Sequence, residues 1–265
     1  MSRGAAGETA RAAGPATTED RLLNGRVRLR QPASGYRVAI DPVLLAAAVP
    51  ARASSPDGPT RVLDLGCGVG AAALCVLARL PDATVTGLEL QGELAALARD
   101  NAALNGWSDR FTVVEGDIAG GAGRAGRDGG DGFDEVLCNP PHQPAHMVAA
   151  PDPAKALATR EAERSLGDWV DAALARLKPR GWATFLHRAD RLDALLAALA
   201  GRAGGAIVFP LWPKPGRAAR RVLVRARKGA RAPLTLSTGL VLHAEDGEFT
   251  AAAQRVLRDG AGLDL

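Results

Sequence analysis

The stretch Val62-Leu63-Asp64-Leu65-Gly66-Cys67-Gly68-Val69-Gly70 reads as an apolar strand that runs into a glycine turn and out into a helix. Glycine lets the backbone approach a bound molecule closely, and the helix that follows offers unpaired N–H groups at its first turn. The pattern predicts a nucleotide-like ligand seated against Gly66, Cys67 and Gly68. Taken alone it also satisfies G-x-G-x-x-A at Gly66, Gly68 and Ala71, the fingerprint of a nicotinamide-dependent oxidoreductase. The acidic residues around it tilt the choice. Asp64 lies two residues before the first glycine, where a carboxylate is awkward beside a pyrophosphate but useful beside a cationic amino-acid group. Glu89, followed by Leu90, ends the next predicted strand and is placed to accept both hydroxyls of a ribose. Asp117, followed by Ile118, comes after the third strand, near where an adenine edge would lie.

Outward from this turn the chain alternates. Strands are predicted at 61–65, 84–90, 111–114, 133–138 and 182–187, with helices at 69–80, 91–105 and 166–177. Such alternation implies an α/β domain with a doubly wound, parallel sheet and helices on both faces. Beyond it come a helix at 190–200, strands at 206–211, 221–227 and 240–243, and a helix at 250–258. Residues 1–25 read as a disordered tail, 26–60 as an N-terminal segment and 61–265 as the main domain. In the N-terminal segment Asp41 is expected to cap a helix that holds Pro42 in its first turn. Residues 119–132, AGGAGRAGRDGGDG, read as a flexible surface insertion.

Composition narrows the class. With 265 residues, 47% hydrophobic and 23% charged, the chain has enough apolar content for one sizeable core. No run approaches the ~18 consecutive apolar residues of a membrane span, and the first twenty residues lack the apolar centre of a secretory signal. Cys67, Cys75 and Cys138 show no C-x-x-C spacing, which argues against a disulfide framework or zinc ribbon and for a reducing cytoplasm. His142 and His146 are four apart, but Pro144 between them and the missing H-E-x-x-H glutamate argue against a metal site.

The fourth strand ends in Asn139-Pro140-Pro141-His142. Two prolines fix a rigid turn, since each presets its φ and lacks an N–H. The side-chain carbonyl of Asn139 and the backbone carbonyl of Pro140 are then placed to accept both N–H bonds of a planar amine or amide. That aims the nitrogen lone pair at an electrophile by positioning and electrostatics. Farther on, residues 210–231 carry Lys214, Arg217, Arg220, Arg221, Arg225, Arg227, Lys228 and Arg231 with no acid. The whole chain is +4, so this +8 segment leaves the remainder at −4. Phosphate contact accounts for such a one-sign segment, and Lys214, Arg217, Arg220 and Arg221 are the candidate nucleic-acid contacts; charged guarding of a strand edge is the alternative. Trp212 reads as packed, as do Trp107, Trp169 and Trp182.

D-x-G-x-G-x-G followed by an acid-ended second strand resembles the class I S-adenosylmethionine (SAM) dependent methyltransferases. The resemblance implies a seven-stranded, mostly parallel sheet with an antiparallel last strand, and SAM as cofactor. It implies Asp64 near the methionine ammonium, Gly66 and Gly68 under the amino-acid part, Glu89 on the ribose and Asp117 near the adenine N6. Asn139-Pro140-Pro141 is similar to the Asn-Pro-Pro-aromatic motif of enzymes that methylate planar nitrogens, with Asn139, Pro140, Pro141 and the residue at His142 as the catalytic set. His142 departs from the pattern, standing where the family places Tyr, Phe or Trp to stack on the substrate; imidazole stacks more weakly.

Within the superfamily, 35–46 (GYRVAIDPVLLA), 87–91 (GLELQ), 99–106 (RDNAALNG) and 242–250 most resemble the bacterial tRNA(Val) adenine-N6 methyltransferases. By that resemblance the segment around Tyr36 and Asp41 folds over the cofactor as a lid, and the substrate is an adenine N6 in RNA, tRNA above all. Guanine-N2 RNA methylation and protein glutamine methylation fit the Asn-Pro-Pro turn as well, and a catalytically silent RNA-binding relative stays open beside them. No membrane or metal partner is expected.

Overall fold

Side-chain alternation along β3 (Thr60–Leu65) sets the layering. Val62 joins one buried cluster, and Leu63 and Leu65 join a second on the opposite face of the sheet. A strand buried on both faces belongs at the centre of an α/β sheet. The computed structural model describes residues 16–34, 37–51, 58–119, 132–141 and 164–265.

In chain order the elements are β1 (Thr17–Leu22), β2 (Val27–Pro32), α1 (Asp41–Ala47), β3, α2 (Ala71–Arg79), β4 (Ala83–Glu89), α3 (Gly92–Leu104), β5 (Phe111–Glu115) and β6 (Phe133–Cys138). They continue with α4 (Leu166–Arg176), β7 (Leu177–Arg188), α5 (Leu192–Leu199), β8 (Ala203–Trp212), β9 (Arg221–Lys228), β10 (Thr235–Leu236), β11 (Leu240–Val241) and α6 (Ala251–Leu257). The sheet runs β10-β8-β9-β7-β6-β3-β4-β5, with β11 also on β8. β3 pairs in parallel with β4 on one side and with β6 on the other, so the strand order reverses there. Ligands of open α/β sheets bind outside the carboxyl ends of the strands at such a switch point. β9 is antiparallel to both β7 and β8, the one reversed strand of the expected seven. Two-residue strands β10 and β11 extend the sheet along β8.

Helices α1, α2 and α6 cover one face, around Leu44, Leu74 and Val256. On the other, α4 and α5 pack Trp169, Val170 and Leu195 against Leu63, Val136 and Phe185.

Three expectations are corrected. The tail assigned to residues 1–25 ends early, because Thr17–Leu22 pairs antiparallel with β2 and only 1–15 lie outside the described residues. The charges that made 17–22 look like tail are cross-strand partners. Glu19 receives Arg28 at 2.8 Å and Arg30 at 3.4 Å, while Val27 and Leu29 face inward. β7 begins at Leu177, five residues before the expected strand, because Leu177 pairs with Phe133 ahead of a register shift. Asp41 does not cap α1: the helix starts at Asp41 itself, after Ile40, and has no side-chain cap hydrogen bond among the described residues. The glycine-rich insertion lies almost wholly outside the described residues.

Candidate active site

The glycine turn closes on the neighbouring strand through its backbone. Gly66 N and Cys67 N both donate to Leu88 O, at 2.8 and 3.0 Å, and Gly70 N donates to Cys67 O at 2.9 Å. Gly66 has φ +73° and Gly68 φ +54°, torsions that disfavour a side chain. A Cβ on Gly66 would stand 2.9 Å from the Trp169 ring, whereas one on Gly68 would meet nothing within 4 Å among the described residues. The turn is thus tight beneath and open above, a cradle for a ligand. Cys67 contributes backbone; its side chain turns down onto Gly87, where a Cβ would sit 2.6 Å from the sulfur.

Two buried carboxylates support this turn. Glu89 Oε2 accepts from Gly68 N at 2.7 Å and its Oε1 from Gln91 N at 2.8 Å. Burial raises its pKa, and those backbone donors oppose the rise. Asp64 shares the α2 face of β3 with Val62, and its Oδ2 accepts from Ala73 N at 3.1 Å. Burial, with Glu89 nearby, raises Asp64 to about 7 while the Ala73 bond opposes it. The structure therefore places Asp64 beneath the first turn of α2, holding the turn from below.

Beside the glycine turn, Leu88, Leu90, Gly116, Asp117 and Ile118 line a recess together with Gly66, Trp169 and Arg164. This brings the predicted Asp117, Ile118 and Leu90 to one place. Asp117 Oδ1 accepts from Ala119 N at 2.9 Å, and Oδ2 pairs with Arg164 at 2.7 Å. Arg164 and Trp169 went unrecognised in the sequence as parts of this recess. The capping box Ser165–Asp168 marks the start of α4 just after Arg164, but nothing local aims that guanidinium at Asp117.

Asn139 follows β6 at the same carboxyl edge. Its Oδ1 is buried and has no hydrogen-bond partner among the described residues. Pro140 is buried behind it and Pro141 is exposed. His142, His146 and Tyr36 lie outside the described residues.

The basic segment divides. Lys214, Arg217 and Arg220 sit on the loop between β8 and β9, at the carboxyl edge, with Arg217 and Arg220 exposed. Lys214 Nζ also donates to Glu245 O at 2.9 Å. Arg221, expected as a phosphate contact, places its Nε 2.9 Å from Asp41 Oδ2, while its side chain stays 44% exposed. Arg225 is buried, 2.8 Å from Glu135, with its guanidinium 4.5 Å from the Trp182 ring centre. Arg227 and Lys228 reach backbone carbonyls of Arg180 and Leu177 at the far end of β9. Arg225 is buried because it sits midway along β9, where the strand is flanked by β7 and β8 and covered on both faces, and the length of β9 carries Arg227 and Lys228 to the opposite edge. Trp212 donates Nε1 to Thr238 O at 2.9 Å and is partly buried.

The open turn at Gly66–Gly68, the Glu89 carboxylate bonded to it and the recess at Asp117 lie side by side at the carboxyl edge of the sheet. Residues 42–166 match the family model described as Methyltransferase small domain. The tRNA1(Val) (adenine(37)-N6)-methyltransferase of Porphyromonas gingivalis is 30% identical over 232 residues, which is 85% of this chain and 88% of that one. The release factor glutamine methyltransferase of Deinococcus radiodurans is 41% identical over 93 residues, 35% of this chain and 30% of that one. Among solved structures, protein Atu636 of Agrobacterium tumefaciens, described as a predicted O-methyltransferase, superposes with a TM-score of 0.66 at 31% identity, covering 84% of this chain and 98% of that one. Matched along most of its length, with the sheet order and glycine cradle of that fold, the chain belongs to the SAM-dependent methyltransferase family that includes the bacterial tRNA1(Val) (adenine(37)-N6)-methyltransferases.

Proposed function

We propose that this methyltransferase acts on the exocyclic N6 of an adenine in RNA, with tRNA as the substrate. The observation that carries the reading is Asn139 Oδ1, a buried acceptor with no hydrogen-bond partner among the described residues, at the end of the strand beside the glycine turn. Buried acceptors are paired in nearly all folded proteins, so an open one at a site is suited to a donor brought by substrate. An exocyclic amine supplies two N–H donors; Asn139 Oδ1 takes one and the Pro140 carbonyl is the candidate for the other. Holding both N–H bonds in this way draws the nitrogen lone pair out of conjugation with the ring and fixes its direction. When bound, SAM supplies the electrophilic methyl group. The chain's own part is to hold its amino-acid portion over Gly66–Gly68, its ribose at Glu89 and its adenine in the Asp117 recess.

RNA is favoured over protein by the exposed cations at the same edge, Arg217 and Arg220, with Lys214 between them and β8. An adenine must leave its stack to reach Asn139, which a single-stranded loop makes cheap. Several relatives matched over most of their length carry the tRNA1(Val) adenine-N6 name, whereas the glutamine methyltransferase matches over 93 residues only. The test is tritiated methyl transfer from SAM onto total tRNA, total rRNA and a protein extract, followed by nucleoside mass spectrometry. N6-methyladenosine in tRNA is the expected product; label confined to protein would overturn the reading, and N2-methylguanosine would replace the base.

A further inference from the structure

We propose that Asp41, rather than Asp64, is the carboxylate that receives the ammonium group of the SAM amino-acid portion. The inference rests on the cofactor placement at the glycine turn given above. Asp41 opens α1 with its side chain only 4% exposed. Its Oδ2 accepts from Arg221 Nε at 2.9 Å, while Oδ1 is buried with no hydrogen-bond partner among the described residues. A buried carboxylate oxygen without a donor is costly and calls for an explanation, and a donor brought by a bound ligand supplies one. An ammonium brings three donors and the opposite charge, the strongest complement to such an oxygen.

Position agrees with chemistry. Arg221 begins β9 directly opposite Arg188, the last residue of β7, so the Asp41–Arg221 pair stands at the carboxyl edge. α1 packs against α2, whose first residues follow the glycine turn, and it also touches β6, which ends at Asn139. Asp41 therefore stands at the same carboxyl edge as the glycine turn and Asn139, on a helix packed against the one that follows the turn.

Asp64 is the weaker candidate. Its side chain lies under α2 and Oδ2 is already committed to Ala73 N. Burial raises it to about 7, so near neutrality much of the population is the uncharged acid. Burial raises Asp41 too, but there the adjacent Arg221 guanidinium opposes the rise.

Calorimetry on the full chain with S-adenosylhomocysteine and with its analogue lacking the α-amino group tests the assignment. The native protein is expected to prefer the amine-bearing ligand by about tenfold or more, as a charge-assisted bond requires. Asp41→Asn should abolish that preference while binding the des-amino analogue within about twofold of native, which also shows that its site is folded. Asp64→Asn should keep the preference. Retained discrimination in Asp41→Asn, equal loss of both ligands in that variant, or lost discrimination in Asp64→Asn would each overturn the inference alone. Failure of the native protein to bind either ligand would overturn the cofactor placement and the inference together.

Discussion

In the proposed reaction Asn139 acts through one atom, its buried Oδ1, and its substitution would separate chemistry from binding. Asn139→Ala removes the acceptor that orients the amine; by analogy with loss of a single oriented polar contact, kcat should fall by roughly 10²–10³. Affinity for S-adenosylhomocysteine, read by calorimetry, should stay within several fold. Loss of cofactor binding instead would make Asn139 a structural or cofactor residue. Asp64 yields a second prediction at this scale. Its carboxyl titrates at about 7 in the folded protein and near 4 in an unfolded chain. Between those values the folded state keeps a proton that the unfolded chain has released, so stability is full below about pH 4 and declines as pH rises through about 7. The span corresponds to at most roughly 4 kcal/mol. Denaturant unfolding of the cofactor-free protein at pH 5 and pH 8 should show the decline, and Asp64→Asn should flatten it; an equal decline in both proteins would dismiss Asp64 as its source. Asp64 and Asn139 were legible in the sequence because both lie at the ends of apolar strand runs, Asp64 just inside β3 and Asn139 just after β6. What Asp64 does was not legible, since the choice between ligand and prop depends on where α2 lies.

Among the elements, the β1–β2 hairpin and the α4 start show where sequence reading reaches its limit. Helix and strand placements around the glycine turn follow from local periodicity and fall within a few residues of the observed bounds. The hairpin's role follows from partners about seventy residues away. Asn101, on α3 and fully buried, accepts from Arg30 N at 2.8 Å and donates to Arg30 O at 2.8 Å and Val69 O at 3.0 Å. One side chain thus ties β2 to the glycine turn, and no periodicity announces it. Asn101→Ala would leave three backbone groups without a partner at the junction of hairpin and turn. It should cost about 2–4 kcal/mol in denaturant unfolding and weaken SAM binding as well. A cost below about 0.5 kcal/mol would mean that solvent replaces these bonds and that the hairpin does not brace the turn. The pairing of Arg164 with Asp117 has the same character, a long-range contact that no local signal encodes.

At the scale of the whole molecule, the +8 segment of residues 210–231 is not one surface. β9 runs from the carboxyl edge to the opposite edge, so it distributes its cations between two ends of the sheet and buries Arg225 against Glu135 midway. The excess charge facing the proposed active site is carried by Lys214, Arg217 and Arg220 on the β8–β9 loop. This changes what a salt titration should show. If RNA lies across the carboxyl edge, each of these residues that neutralises a phosphate contributes about 0.7–0.9 to the slope of log K against log salt. Reversing Lys214, Arg217 and Arg220 to Glu should therefore lower the slope by about 2 and weaken tRNA binding strongly at low salt. Arg231→Glu, at the far end of β9, should leave the slope unchanged. Arg221→Glu should leave the slope nearly unchanged too, because that guanidinium is committed to Asp41, yet it should weaken cofactor binding by disturbing the carboxylate. Filter-binding or fluorescence titrations from 50 to 300 mM salt measure all three variants against the native protein. A slope unmoved by the triple reversal but lowered by Arg231→Glu would place the RNA on the opposite edge of the sheet, away from Asn139, and would leave the loop cations as guards of a strand edge.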